Sequence, residues 1–317
     1  MSRFVVRRIV EILVVLAVMS LVIYALIGLM PGDPVDLMIA SNPHLTVADA
    51  ARLKALYGLD KPLLERYAAW LGAALHGDFG YSRLYARSTL AVLIPRLGNT
   101  ALLMGMSFAL TLALAWPLGL LAARRPGSWF DGVANLSSFA TISVPSFWLA
   151  LMLILVFAVQ LGWLPPGGAA TIGAGGVADR ADHLVLPVIT LTLVNFGPQL
   201  RYMRAAMMET LHQDYIRTAR AKGAGEARIL TRHALRNALI PLITVVALSF
   251  GSLFSGALVT ETMFAYPGMG KLIYDAVLGN DYNLALAGLL FATLMTLLAN
   301  FAADLAYAAA DPRIAYR

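Results

Sequence analysis

The sequence contains no cysteine and few charged residues, and both deficits restrict the kinds of protein it can encode. With no cysteine among 317 residues, a disulfide framework and a thiolate metal site are both excluded. Charged residues make up 13% of the chain, whereas soluble globular domains carry about 25%. Hydrophobic residues make up 59%, and the mean hydropathy is +0.73. This composition excludes an ordinary soluble domain and indicates a membrane protein.

Sequence motifs for catalysis, metal binding and nucleotide binding are lacking as well. The histidines are scattered and form no HExxH motif, so no metal site is predicted; they are His44, His76, His183, His212 and His233. The segment GMGKL, residues 268–272, superficially resembles a phosphate-binding loop, but Ala265 and Leu272 replace the glycine and the hydroxyl residue that such a loop requires. No GxSxG nucleophile motif occurs. We therefore expect neither a cofactor nor enzymatic activity in this chain.

Long apolar runs are the dominant positive feature. Each approaches or exceeds the roughly 17 to 25 residues that cross a hydrocarbon core as a helix. The runs cover residues 9–30, 100–122, 133–161, 184–200, 238–260 and 283–309. They predict an all-α, polytopic membrane protein with six transmembrane helices in a single transmembrane domain, residues 1–317. The first run is too long for a signal peptide and lacks a small-residue cleavage site, so it is predicted to be retained.

Basic residues are distributed unevenly between the loops. Arginines precede the first run and follow the second, and further lysines and arginines are concentrated between residues 201 and 237. Loops rich in these residues remain in the cytoplasm, so both termini are predicted to be cytoplasmic. Topology and anionic lipid headgroups account for the net charge of +6. Membrane lipid is therefore an expected partner, and nucleic acid is not.

The first external loop, residues 31–99, is the only sizeable region outside the predicted spans. Thr46 and Asp49 are typical of a helix start, and a second short helix is predicted after Pro62. Both helices are amphipathic in pattern. They would lie along the outer membrane surface with Trp70 as an interfacial anchor, or cover the surface of a partner.

The polar segment 201–237 has the pattern of a helix, a glycine turn and a second helix. The fourth span continues into it without proline, and Gly223 and Gly225 would permit a sharp turn. Arginines 228, 232 and 236 recur at four-residue spacing, while residues 229, 230 and 234 are apolar or small and fall on another face. The arginines fit a docking surface, and they equally fit arginines that reach lipid headgroups beside a span.

Residues 215–241, YIRTARAKGAGEARILTRHALRNALIP, resemble the cytoplasmic EAA loop of ABC importer permeases of the dipeptide, oligopeptide and nickel branch. Gly223 matches the loop's glycine, whereas Arg217, Thr218 and Ala219 replace its Glu-Ala-Ala. The resemblance implies that this loop couples the chain to an ATPase. The implied coupling residues are Arg217, Thr218, Ala219, Arg220, Ala221, Lys222, Gly223, Ala224 and Gly225.

Three further segments carry the same resemblance: PGDP at 31–34, AYPGMGKLIYDAV at 265–277 and DPR at 311–313. It implies a type I importer permease fold in a bacterial inner membrane. The expected partners are a second, related permease or a second copy of this chain, an external substrate-binding protein, and two cytoplasmic ATPase subunits that hold ATP and Mg²⁺. The expected cargo is a dipeptide or oligopeptide, with nickel, glutathione and other small solutes as alternatives.

The resemblance also implies an external cap or re-entrant loop that contacts the binding protein or seals the pathway; its residues are Tyr266, Pro267, Gly268 and Gly270. Polar residues within the spans are candidates for the pathway lining: Asn195, Gln199, Ser249, Ser252 and Ser255. Close helix packing is the alternative explanation for the serines. A transporter driven by an ion gradient, from another class, would need intramembrane ionisable residues and inverted repeats.

Overall fold

The protein was examined as a computed structural model, which describes residues 2–29, 52, 61–173 and 175–310. Apart from one short hairpin, its regular elements are helices. The strands are β1 (Tyr81–Ser82) and β2 (Arg87–Ser88). The helices are α1 (Ser2–Gly28), α2 (Leu63–Leu75), α3 (Thr89–Arg124), α4 (Trp129–Ser143), α5 (Ser146–Leu153), α6 (Val177–Leu211), α7 (Asp214–Ala221), α8 (Glu226–Arg228), α9 (Leu235–Met263), α10 (Met269–Leu278) and α11 (Tyr282–Ala310). The π-helix Ile154–Gln160 continues α5, and the π-helix Ile229–Ala234 joins α8 to α9.

The long helices agree with most of the predicted spans. Within the described residues, four helices are long and apolar enough to cross a membrane: Phe4–Gly28, Thr89–Arg124, Val177–Leu211 and Tyr282–Ala302. The fifth predicted span lies in α9, a helix of 29 residues. Some of its side chains, including those of the three candidate serines, lie outside the described residues. The total of six spans therefore stays a prediction.

The third predicted span is not one straight helix. Helix α4 and the helix formed by α5 and its π-helical extension meet at an angle of 99°. Val144 at the break has extended dihedral angles, φ −88° and ψ 122°. A residue that precedes proline is biased to this region, and Pro145 is the N-cap of α5. The apolar run 133–161 thus forms a broken span or a re-entrant segment.

The chain groups into two compact units, which are described separately. The described part of the smaller unit comprises residues 2–29, 61–99 and 268–295. Its core contains Leu93, Met269, Leu272 and Leu284, all nearly inaccessible to solvent. The predicted helix after Pro62 is confirmed as α2, with Pro62 at its N-cap. The other predicted helix of this loop, at residues 46–57, lies outside the described residues, as do the PGDP and DPR segments.

Two sets of contacts connect the elements of the smaller unit. Asp281 at the start of α11 accepts hydrogen bonds from Ser82 Oγ at 2.6 Å and from the Leu84 amide at 3.0 Å, which fastens the β-hairpin to this helix end. Trp70 packs against Tyr24 and Tyr67, with ring centroids 5.7 and 6.2 Å away. Trp70 therefore packs between α1 and α2, and its role as an interfacial anchor stays a prediction.

The larger unit comprises residues 100–267 and the end of α11. Among the described helices that are long and apolar enough to cross a membrane, α6 is the most buried, and it accommodates Pro187 and Pro198 internally. At its start, His183 is buried, with Nδ1 2.8 Å from the Gly167 carbonyl oxygen and Nε2 3.7 Å from Asp179 Oδ1. The same loop packs tightly at Gly167, where an added β-carbon would lie 2.1 Å from the Phe264 carbonyl oxygen. These contacts hold the loop at Gly167 against the helix ends.

Candidate functional site

The site begins where α6 ends, at Leu211. The fourth span was predicted to continue as helix up to the glycine turn, but the helix is interrupted at His212 and Gln213. Nδ1 of His212 lies 2.7 Å from the Met208 carbonyl oxygen, and the His212 amide donates to Glu209 instead of Met208. Gln213 is extended, with φ −70° and ψ 148°, and serves as the N-cap of a separate short helix, α7. The break frees α7 to take its own direction.

Helix α7 is attached through one apolar residue. Ile216 is fully buried and packs in a cluster with Met203, Met207, Ile229 and Leu230. Burying an isoleucine side chain contributes about 1.5 to 3 kcal/mol. An eight-residue helix is too short to persist alone in water, so this contact is the main reason that α7 keeps its place.

The turn after α7 requires glycine at one position only. Gly223 has φ +81°, in the left-handed region that side chains disfavour. Its amide donates to the Arg220 carbonyl at 2.9 Å, and the Ala224 amide donates to the Ala219 carbonyl at 3.1 Å. Gly225 was predicted to share this role, but its φ of −67° suits any residue. Gly223 therefore makes the turn, and Gly225 starts the next helix.

An ion pair spans the turn on its outer side. Arg220 Nε lies 3.1 Å from Glu226 Oε1, and the two side chains are 47% and 49% exposed. Pairs so exposed contribute about 0 to 1 kcal/mol because water and salt screen them. The pair therefore orders the turn without being its main source of stability.

The segment after the turn has the two predicted faces. Ile229, Leu230 and Ala234 are buried, whereas Arg228, Arg232 and Arg236 are exposed. Residues 229–234 form a π-helix, which the four-residue spacing did not predict. Asn237 Nδ2 donates to the hydroxyl of Tyr215 at 3.0 Å and connects this segment back to α7.

The outward surface of the turn is small and basic. Residues 217, 218, 220–223 and 225 are exposed, and Ala219 and Ala224 are half-buried. Alanine and glycine side chains let another backbone approach closely, while Arg217 and Lys222 supply positive charge. Such a surface suits insertion into a groove of another protein. All nine predicted coupling residues thus lie in one continuous helix and turn.

The two candidate lining residues on α6 have different surroundings. Asn195 is half-buried and donates from Nδ2 to the Leu191 carbonyl of its own helix at 2.8 Å. Gln199, one turn further along, is 1% exposed and so is enclosed within this chain. The side chains of Ser249, Ser252 and Ser255 lie outside the described residues. The lining role of this set stays a prediction.

The predicted cap residues are divided between the two units. Tyr266 is 3% exposed, and its amide donates to the Glu261 carbonyl at 2.8 Å. Burial, with the nearby charge of Glu261, raises the pKa of the Tyr266 phenol to about 12. Gly268 is the N-cap of α10, and Gly270 lies in that helix. The capping role of Tyr266, Pro267, Gly268 and Gly270 stays a prediction.

Two polar contacts of the larger unit escaped the sequence reasoning. Arg204 forms a two-pronged ion pair with Asp131, and Thr100 Oγ1 donates to the fully buried Glu261 at 2.5 Å. The sequence S-W-F-D, residues 128–131, signals a helix start, but the partner of Asp131 is 73 residues away.

Among the described residues, no group of three His, Asp or Glu side chains is arranged to hold a metal ion.

Comparison with known proteins gives consistent matches over the whole chain. Residues 115–316 match the family described as binding-protein-dependent transport system inner membrane component, and residues 1–89 match the N-terminal family of the same kind of protein. The chain is 39% identical to the oligopeptide transport system permease protein AppB of Bacillus subtilis, covering 100% of both chains. It is 37% identical to the di/tripeptide transport system permease protein DppB of Pseudomonas aeruginosa, again covering 100% of both.

The fold of this chain is also similar to that of a solved structure. The chain resembles a chain of the MetNI methionine ABC transporter, determined in inward-facing conformations, with a TM-score of 0.57. The match covers 70% of this chain and 97% of the other, at 19% sequence identity. At that identity the likeness concerns the fold alone.

Proposed function

This chain belongs to the family of binding-protein-dependent transport system inner membrane components, and we propose that it is the permease subunit of an importer for dipeptides or oligopeptides. Members of the family are non-catalytic, multi-pass membrane subunits of ABC importers with the type I permease fold, and separate subunits hydrolyse ATP. The peptide assignment is supported by the relatives AppB and DppB, which are named for oligopeptide and di/tripeptide transport.

In this proposal α7 and the Gly223 turn form the coupling element, which an ATPase subunit binds. The observation that carries it is the contrast between the two sides of α7. Ile216 holds the inner side in an apolar cluster, while the outer side is small, basic and exposed. A short rigid helix that is anchored on one side and open on the other can transmit the closure of ATPase subunits to the helices behind it.

The assembly in this proposal contains two permease subunits, two ATPase subunits that bind ATP and Mg²⁺, and an external binding protein. A related permease, rather than a second copy of this chain, occupies the other half of the pathway. The arginines around α7 and those beside α1 and α3 support a cytoplasmic position for this side. Both termini then face the cytoplasm of a bacterium, and the chain lies in its inner membrane.

The remaining candidate residues take two roles in the same proposal. Asn195, Gln199, Ser249, Ser252 and Ser255 line or support the pathway. Tyr266, Pro267, Gly268 and Gly270 belong to the segment that caps it on the external side. The short length of α10, ten residues, supports a segment that does not cross the membrane by itself.

The test is the variant Gly223→Val in the complete transporter reconstituted in liposomes with its ATPase subunits and binding protein. A β-branched residue in the left-handed region costs about 1 to 3 kcal/mol, so the turn rearranges and the docking surface is displaced. We expect uptake of labelled oligopeptide to fall roughly tenfold or more, while insertion of the protein in the membrane is unchanged.

Gly225→Ala is the matched control, since Gly225 has an ordinary φ and an added β-carbon would meet no described atom within 4 Å. Its uptake should stay within about twofold of wild type, because alanine accepts this backbone conformation readily. Full uptake by Gly223→Val would contradict the coupling role. Uptake of another solute in place of peptide would contradict the cargo assignment.

A further inference from the structure

Helices α4 and α6 touch at successive points along one face of α6. Ser138 Oγ donates to the Gly197 carbonyl at 2.9 Å, and the Arg201 guanidinium lies 5.1 Å from the centre of the Phe139 ring. The third point is the ion pair of Arg204 with Asp131. Positions 197, 201 and 204 are three or four residues apart, so they share one side of α6. Ser138 meets Gly197, whereas Asp131, earlier in α4, meets Arg204, later in α6, so α4 and α6 run antiparallel.

Several hydrogen bonds fix the geometry of the Asp131–Arg204 pair. Arg204 donates from Nε to Oδ1 at 2.5 Å and from Nη2 to Oδ2 at 2.7 Å. Asn135 Nδ2 donates to Oδ1 at 3.0 Å, and the Gly127 amide donates to Oδ2 at 2.9 Å. Asp131 is 3% exposed. Since a two-pronged arginine–carboxylate contact is specific in direction as well as distance, the two helix ends cannot rotate independently while it is intact.

The backbones approach closely a few turns away. An added β-carbon at Gly197 would lie 2.5 Å from the Ser138 carbonyl oxygen. Such an approach leaves no space for a side chain between the helices and resists sliding. Together with the ion pair, it holds α4 and α6 at two separated points.

The ion pair also lies beside the attachment of α7. Met203 and Met207, on the same part of α6, pack in the cluster that contains Ile216. Arg204 is seven residues before the end of α6 at Leu211, about two helical turns. A displacement of α7 therefore reaches α6 at the level where Arg204 joins it to α4.

We propose that the Asp131–Arg204 pair is a positioning element for transport, which makes α4 and α6 move as one body when α7 is displaced. The inference rests on the coupling role of α7 given above. With the pair intact, movement at α7 reaches α4 and the sharp bend that follows it at Val144 and Pro145. Without the pair, the contact at Gly197 remains but the ends of α4 and α6 rotate independently, and the ATPases hydrolyse ATP without moving the pathway.

The test measures ATP hydrolysed per peptide imported, in liposomes that contain the complete transporter and its binding protein. The variants are Asp131→Asn, which removes the charge at constant size, and Arg204→Lys, which keeps the charge but cannot form the two-pronged contact. Each should raise the ratio roughly tenfold, with ATPase activity within about twofold of wild type. Glu11→Gln is the control, since Glu11 pairs with arginines on the exposed surface of α1, and its ratio should be unchanged.

A cross-link separates mechanical linkage from stability. Because the chain has no cysteine, the double variant Asp131→Cys and Arg204→Cys carries its only thiols at these two positions. A short bifunctional maleimide that joins them should restore the wild-type ratio. The inference is overturned if both single variants leave the ratio of ATP hydrolysed to peptide imported unchanged. It is also overturned if ATPase activity and import fall together and the cross-link does not restore them.

The variant Gly223→Val, assayed alongside, distinguishes this inference from the proposed function. If Gly223→Val lowers import but Asp131→Asn leaves the ratio unchanged, only the linkage is wrong. If Gly223→Val imports normally, the coupling role of α7 is wrong, and the linkage inference falls with it.

Discussion

The two attachments of α6 differ in kind. Helix α4 is held to it by close backbone contact at Gly197 and by an ion pair whose side chains are 23% and 5% exposed. Helix α7 is held by the buried Ile216, whereas the ion pair of Arg220 and Glu226, whose side chains are 47% and 49% exposed, joins α7 to α8 across the turn. Directional contacts thus fix the first attachment, whereas apolar burial maintains the second.

The two kinds of contact allow different movements of α4 and α7 relative to α6. Apolar burial is not directional, so α7 can shift by small amounts against its cluster while it stays attached. A bidentate ion pair and a packed backbone have one favourable geometry. In the proposed linkage, the α4–α6 pair is therefore the rigid body, and α7 is the adjustable contact on its end.

The largest expected effect is at the tight contact between α4 and α6. Gly197→Val places a side chain against the backbone of α4, which cannot move aside as a flexible side chain can, so the overpacking should cost about 3 kcal/mol, the upper end for such changes. We expect a clear fall in the thermal unfolding temperature of the detergent-solubilised transporter. Gly105→Val is the control, because a β-carbon at Gly105 would meet no described atom within 4 Å. Equal falls for both variants would show that the contact is not tight.

An intermediate effect is expected at the anchor of α7. Ile216→Ala removes most of the buried side chain and costs about 2 kcal/mol, the low end for such changes, because a site at a helix end can partly collapse. Hydrogen exchange of the amides at residues 214–221 should accelerate roughly thirtyfold.

The control for this anchor is Thr218→Ala, on the exposed face of α7, where exchange should change by less than about threefold. Acceleration of the same size in both variants would mean that Ile216 is not the main attachment.

The smallest effect is expected at the ion pair across the turn. Arg220→Gln should cost less than about 1 kcal/mol, because the pair is exposed and screened. Exchange at residues 219–226 in the wild-type protein should respond weakly to added salt, and the variant should not respond at all. A loss as large as that of Ile216→Ala would contradict the ranking of the two contacts.

Sequence patterns predicted the helix, the turn and the second helix of the candidate site because the signals for these elements are local. Gly223 stands where the chain reverses, and the apolar residues of 229–234 alternate with arginines at helical spacing. Both patterns depend only on neighbours within a few residues. The same local patterns could not distinguish the two glycines, because only the backbone angles show that Gly223 has a positive φ and that Gly225, the N-cap of α8, does not.

What the sequence by itself determined is the membrane class, the approximate spans and the helix–turn–helix after α6, because transfer to lipid and helical periodicity depend on composition and near neighbours. The tertiary structure alone decided that Asp131 meets Arg204, that α4 approaches Gly197, and that α7 separates from α6 at His212. Each depends on the path of the chain through space. A contact between residues 73 positions apart produces no periodic pattern in the sequence. It can therefore be recognised only in the folded structure.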